Sequence, residues 1–191
     1  MEHPTYEQYL RKILLSPVYD VAKVTPLQKL EKVSEKVGVK VLLKREDLQS
    51  VHSFKLRGAY NKIAGLTKEQ LDKGVIAASA GNHAQGVALT GKKLGINATI
   101  VMPNSTPDIK VDAVRRLGGK VVLFGANFDE AYAESLRLAR DKGFTMIPPY
   151  DDPDVIAGQG TVAQEMLKQD SRITHVFIQV GGGGLAAAAA G

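Results

Sequence analysis

The sequence predicts an α/β protein built on doubly wound parallel sheets, and three observations carry that reading. Short apolar runs alternate with segments of helical periodicity along most of the chain. Polar or glycine-rich loops stand where those runs end and helices begin, the place where open α/β sheets bind ligands. The 191 residues, 44% hydrophobic and 24% charged with no cysteine, suffice for one substantial core or two small lobes, with no disulfide framework or thiolate chemistry.

In chain order, "TYEQYLRKILL" opens on a Thr5-x-x-Gln8 capping box and keeps helical spacing until Ser16 and Pro17 stop it. "VKVLLKRED" from Val39 reads as a buried strand. Ser53 then caps a helix to about Leu66, with Leu56, Ala59, Tyr60 and Ile63 on one face. Past Gly74 the unit repeats: "VIAAS" and a helix from about His83 to Leu94, "ATIVMP" and a helix from about Asp108 to Leu117, "KVVLF" and a helix from Phe128 to Lys142. "FTMIP" leads through "PPYDDPD" into a helix from about Val155 to Lys168, and the strand "THVFIQV" meets "GGGG" and the helix-prone "LAAAAAG". The proline-rich "PPYDDP" is the sharpest break in composition and reads as a crossing between lobes.

Residues 1–70 hold 13 Lys/Arg against 8 Asp/Glu, residues 71–150 hold 10 against 7, and residues 151–191 hold 2 against 5. Spread charge of this kind, with no tryptophan and no aromatic–basic ladder, describes solvated helix faces and argues against a nucleic-acid partner. "MEHPTYEQYL" lacks the features of a signal peptide and no apolar run approaches membrane-spanning length, so a cytoplasmic location is expected. No metal site is expected, since no His-x-x-x-His pair or acidic cluster stands out, and no Ser-His-Asp arrangement is visible.

Three loops could carry chemistry. In "SVHSFKLRGAY", Lys55 follows the Ser53 cap, where the positive end of the helix dipole disfavours an ammonium. A neutral lysine amine is a nucleophile towards carbonyls and a base for carbon acids. In "SAGNHAQG", Ser79, Ala80, Gly81, Asn82 and His83 form a helix start able to bind a carboxylate by backbone N–H groups, or a plain capped helix with Asn82 or Ser79 as cap. His83 and His52 read as hydrogen-bonding loop residues. The run from Gly181 through Gly182 and Gly183 to Gly184 lets the backbone approach a phosphate, with a flexible loop as its rival reading. Gly181-x-Gly183-x-x-Ala186 also matches a loose NAD(P) dinucleotide fingerprint, which makes an oxidoreductase the alternative function.

Together "KREDLQSVHSFKLRGAYN", "SAGNHAQGVA", "IKVDAVRRLGG" and "VGGGGLAA" resemble the fold-type II pyridoxal-phosphate enzymes, with the tryptophan synthase β-like architecture, and among them the biosynthetic threonine dehydratases (threonine ammonia-lyases). The similarity runs from about Tyr6 to the last residue. Serine racemases and catabolic dehydratases commonly carry a threonine-glycine pair where this chain has Val51-His52, so "VHSFKLRGAY" favours the biosynthetic branch.

The resemblance implies that Lys55 is the Schiff-base lysine and Cα base. It places Phe54 near the ring of pyridoxal 5′-phosphate, Asn82 on the ring's 3′-oxygen, Gly181 to Leu185 around the phosphate, and Ser79 to His83 on the substrate carboxylate. The implied reaction is dehydration and deamination of L-threonine to 2-oxobutanoate and ammonia, the first step of isoleucine biosynthesis, with L-serine as a secondary substrate. Ala80 stands where serine racemases place an acid–base serine, so elimination without useful racemisation is expected. The resemblance also implies a smaller inserted lobe at residues 56–148, flanked by parts of a larger lobe at 1–55 and 149–191, and a homo-oligomer at full length. The family's catalytic unit is longer than this chain. The group that meets the pyridine nitrogen and the isoleucine-responsive domain are thus expected outside it, and the chain alone is expected to be a low-activity or non-catalytic folded fragment.

Overall fold

The structure is a computed structural model that describes residues 4–190; residues 1–3 and 191, the extreme ends of the expected larger lobe, lie outside the described residues. Helix α1 (Tyr6–Leu14) carries the expected capping box, with Thr5 and Gln8 each bonding the other's backbone. A 3-10 turn at Val18–Asp20 leads to a two-stranded antiparallel sheet, β1 (Leu27–Lys29) against β2 (Leu42–Lys44), with α2 (Glu31–Val37) between them. The strand expected from Val39 is therefore short, only partly buried and outside the parallel sheet. Its "KRED" continuation turns into a 3-10 helix at Glu46–Leu48, whose Glu46 serves the ion network described below.

Helix α3 (Lys55–Ala64) follows, then α4 (Lys68–Lys73) with a second capping box at Thr67, and β3 (Val75–Ala78). Next come α5 (Asn82–Leu94), β4 (Ala98–Met102), α6 (Asp108–Arg116), β5 (Lys120–Leu123), α7 (Phe128–Lys142) and β6 (Thr145–Met146). The chain ends with α8 (Pro153–Gln169), capped by Asp152, and the short α9 (Gly184–Ala190). Strands β3 to β6 form one parallel sheet in the order β5-β4-β3-β6.

That sheet is covered on both faces, which is why β3 and β4 are buried throughout and, Thr99 apart, apolar. Val75 and Ala77 pack with Ala59 and Ile63 of α3 and Ala84, Val87 and Ala88 of α5, while Ile76 and Val101 face Ala131 and Leu138 of α7. The winding reverses at β3, with β4 and β5 to one side and β6 to the other. The loops leaving the carboxyl ends of β3 and β6 consequently flank a topological switch point, the preferred ligand crevice of such sheets.

Helix α3 is wedged between α5 and α8 by glycines. A methyl group at Gly86 of α5 would come within 3.2 Å of the Lys55 carbonyl oxygen, and one at Gly158 of α8 within 2.7 Å of the Arg57 carbonyl and the Gly58 Cα. Arg57, fully buried on α3, donates to Glu46 (2.8 and 2.9 Å), Thr161 (3.0 Å) and Glu165 (2.7 Å). Lys44 donates to the other oxygen of Glu165 at 2.5 Å. Burial opposes the Glu165 charge, and the hydrogen bonds from Arg57 and Lys44 outweigh it, so its pKa falls below the ordinary value.

The expected strand at "THVFIQV" is not formed: residues 174–180 have no ladder partner among the described residues, and Phe177 is 97% exposed. An apolar run becomes a strand only when another strand takes up its hydrogen bonds. His52 adopts a left-handed backbone (φ 54), with its Nδ1 donating to the Asp47 carbonyl at 3.1 Å. L side chains adopt this conformation only occasionally, and it would cost glycine nothing sterically. Among the described residues no helix is long and apolar enough to cross a membrane.

Replacing Arg57 by Met should cost about 3–5 kcal/mol, because Glu46 would lose its cationic partner and the buried Glu165 would keep only Lys44. Arg57→Lys should recover only part of this, since one ammonium cannot span Glu46 and Glu165. Urea unfolding of the three proteins measures it.

Candidate active site

Lys55 is the first residue of α3, and its own N–H donates to the Ser53 hydroxyl at 3.2 Å, so the serine serves the helix start as expected although Phe54 occupies the cap position. The amine is half-buried. It donates to the Pro149 carbonyl at 2.6 Å and has no carboxylate partner among the described residues. Burial lowers its pKa, so the direction expected from the helix dipole is seen, with desolvation as the cause.

The loop after β3 delivers the second group of residues. Ser79 is tied inward, its hydroxyl accepting the Gly81 N–H at 3.2 Å. Neither Asn82 nor Ser79 caps α5: the cap position is Gly81, which has no side chain to fill it, so the first N–H groups of α5 lack a side-chain acceptor. Asn82 is exposed, and its side chain makes no hydrogen bond among the described residues. His83 is buried and its Nε2–H donates to the Ile147 carbonyl at 2.9 Å, leaving Nδ1 without a partner. Desolvation, with a smaller contribution from the nearby Lys55 charge, pulls its pKa down to about 4. His83 is thus a neutral imidazole beside the lysine.

The four glycines are not equivalent. A Cβ at Gly182 would overlap the Tyr150 ring, and one at Gly184 would lie 2.8 Å from the Tyr150 carbonyl oxygen. Gly183 has a left-handed backbone (φ 83), and no atom lies within 4 Å of a Cβ at Gly181 or Gly183. One side of the turn is therefore packed and the other open. Gly181-x-Gly183-x-x-Ala186 lacks the paired strand that a dinucleotide fingerprint requires before it, since residues 174–180 are unpaired.

Phe54 places its ring 5.6 Å from the Lys55 amine, and with Leu185 it also lines an apolar cavity of about 940 Å³. The walls of that cavity come mainly from β1, β2 and residues 173–179, and Lys55, Asn82 and the four glycines take no part in it. This hollow is therefore separate from the lysine.

Sequence reasoning missed the segment that gathers these groups, residues 147–150. Ile147 accepts from His83, Pro149 accepts from Lys55, and Tyr150 packs on the glycines. A signal was present: the Pro148-Pro149 pair offers carbonyls and no N–H groups, so it draws donors from elsewhere.

A group whose folded pKa lies near 4 and whose unfolded value is about 6.5 contributes stability that is complete above pH 6.5 and is lost as pH falls towards 4. Between pH 7 and pH 5 the chain should lose roughly 2 kcal/mol more than a His83→Gln variant, which keeps a donor and does not titrate. Urea midpoints at the two pH values check this.

The family model described as pyridoxal-phosphate dependent enzyme matches residues 18–190. L-threonine dehydratase biosynthetic IlvA of Pasteurella multocida is 64% identical over 185 residues, 97% of this chain and 36% of that protein. The protein of the same name in Escherichia coli is 60% identical over 187 residues, 98% of this chain and again 36% of the relative. Among solved structures, the processed form of threonine deaminase isoform 2 from Solanum lycopersicum has a TM-score of 0.94 at 59% identity, covering 96% of this chain and 54% of that one. Maize serine racemase has a TM-score of 0.90 at 35% identity, covering 94% and 54%. The chain thus spans little more than a third of the length of the curated relatives it matches. With nearly its whole length inside the family model, and Lys55, the loop after β3 and the glycine turn gathered on residues 147–150, the chain belongs to the pyridoxal-phosphate dependent enzyme family.

Proposed function

We propose that this chain holds pyridoxal 5′-phosphate through Lys55 and serves the conversion of L-threonine to 2-oxobutanoate and ammonia, the opening reaction of isoleucine biosynthesis, with L-serine as a secondary substrate. The water lost from Cα and Cβ is regained when the released enamine hydrolyses. The observation that carries this reading is the Lys55 amine: desolvated, unpaired with any carboxylate among the described residues, and placed at the switch point beside a neutral histidine. The names of the curated relatives support the substrate.

The residues present fit the cofactor. The space beside Gly181 and Gly183 leaves backbone open to a phosphate, and the unengaged amide of Asn82 suits a phenolic oxygen. Phe54 supplies an apolar flank near the lysine. When bound, pyridoxal phosphate supplies an electron sink for a carbanion at the substrate Cα. The chain's own groups do the rest. The uncapped N–H groups at the head of α5, with residues 79–83 around them, receive the substrate carboxylate. The Lys55 amine takes the Cα proton, a role that its desolvation favours.

Ala80 offers no group for proton transfer on the opposite face, so the reading is elimination without racemisation. Residues 56–148, which contain all four parallel strands, are read as the smaller lobe, with 1–55 and 149–191 as parts of the larger. The working form is read as a homo-oligomer and the cytoplasm as its location, on the likeness to the bacterial biosynthetic relatives.

Borohydride reduction of the chain with pyridoxal phosphate, followed by peptide mapping, should place the label on Lys55 and lose it in Lys55→Ala. A label elsewhere, or none, overturns the reading. L-serine incubated with a protein carrying this chain should yield pyruvate and ammonia with no D-serine above the blank; D-serine in a chiral assay would remove the argument from Ala80.

A further inference from the structure

Resting on the cofactor reading above, we infer that Tyr150 is a positioning residue: its ring and carbonyl clamp one side of the glycine turn at Gly182 and Gly184, and so hold the turn in register with the Lys55 amine. If all four glycines served only the approach of a ligand, all four would have open space where a side chain could stand. Only Gly181 and Gly183 do. At Gly182 a Cβ would collide with three atoms of the Tyr150 ring, and at Gly184 it would lie 3.2 Å from the Tyr150 Cα and Cβ as well as 2.8 Å from its carbonyl oxygen. These two glycines are required by a protein contact, and that contact selects the side of the turn left open.

The same clamp reaches the lysine. Pro149, the residue before Tyr150, accepts the Lys55 amine, and consecutive Cα atoms are only about 3.8 Å apart. Two residues earlier, Ile147 is fixed by the buried His83. The backbone between those points cannot drift, because Pro148 and Pro149 lock their φ angles. The lysine, the loop after β3 and the glycine turn are therefore held on one rigid strap, with Tyr150 as its contact to the turn. The hydroxyl is not part of the argument: it makes no hydrogen bond among the described residues, and the overlap with Gly182 involves ring carbons.

The test uses four variants of the chain and two readouts. Pyridoxal phosphate affinity, followed by its absorbance, should weaken about tenfold or more in Tyr150→Ala, the scale on which residues that position a site act. It should return to the original value in Tyr150→Phe. Gly182→Ala should weaken binding in the same way, and Tyr150→Ala combined with Gly182→Ala should bind better than Gly182→Ala alone, because the collision partner is gone. The ligand-free readout is NMR: the Gly182 α-protons should be shifted by the Tyr150 ring, retain the shift in Tyr150→Phe and lose it in Tyr150→Ala. Absence of that shift, or an unchanged affinity in Tyr150→Ala, overturns the role of Tyr150 even where the cofactor binds. A chain that shows the shift yet takes no pyridoxal phosphate on Lys55 overturns the cofactor reading and leaves the clamp in place.

Discussion

The buried charge of Arg57 is the constraint on which the rest of the molecule depends. A guanidinium with no solvent exposure must be met by carboxylates and hydrogen bonds on every side, or its desolvation would be prohibitive. Glu46 comes from the 3-10 turn before α3, Glu165 and Thr161 come from α8, and Lys44 from β2 shares Glu165. Strand β2, the 3-10 turn and α3, neighbours in sequence, are thereby fixed to the distant α8 around one side chain, two residues from Lys55. The glycines at 58, 86 and 158 make the same demand sterically, since α3 can meet α5 and α8 at this separation only where no Cβ intervenes. Neither the ion network nor the close crossing touches a substrate, yet together they decide where the lysine points.

The amine then meets a segment built to receive it. Residues 147–150 leave the carboxyl end of β6, next to the loop that leaves β3, at the point where the sheet changes its direction of winding. Two prolines leave this segment rich in acceptors, and the two donors that use them are Lys55 and His83. Both basic groups are desolvated, and the Lys55 charge further disfavours one on His83, so the site holds two nitrogen bases inclined to neutrality. Such an environment suits chemistry that needs a free amine near neutral pH and would ill suit a group whose work is to bind anions by charge. On the proposed reading, anion binding falls instead to backbone N–H groups at the uncapped head of α5 and at the open side of the glycine turn.

By itself the sequence determined the local structure wherever a strong short-range rule applied. The Thr5 capping box, the helix from Phe128 to Lys142 and the buried strands at Val75 and Ala98 follow from capping chemistry and from unbroken or periodic apolar runs, and the structure shows them at or near the expected bounds. Lys55 as an amine of lowered basicity was also legible, although its lowered pKa comes from burial more than from the helix dipole that suggested it. Only the tertiary structure decided the partners. Strand formation at residues 174–180 and at Val39 depends on which neighbours are available to pair, and the apolar run alone carries no information about them. No short-range signal marks Arg57, because its acids lie 11 positions before it and 108 after it. The different duties of four identical glycines could be separated only once Tyr150 had been brought against two of them. The physical reason is common to all three: capping, periodicity and backbone freedom act within a turn or two of chain, whereas pairing, burial of charge and steric exclusion are set by residues that only folding brings together.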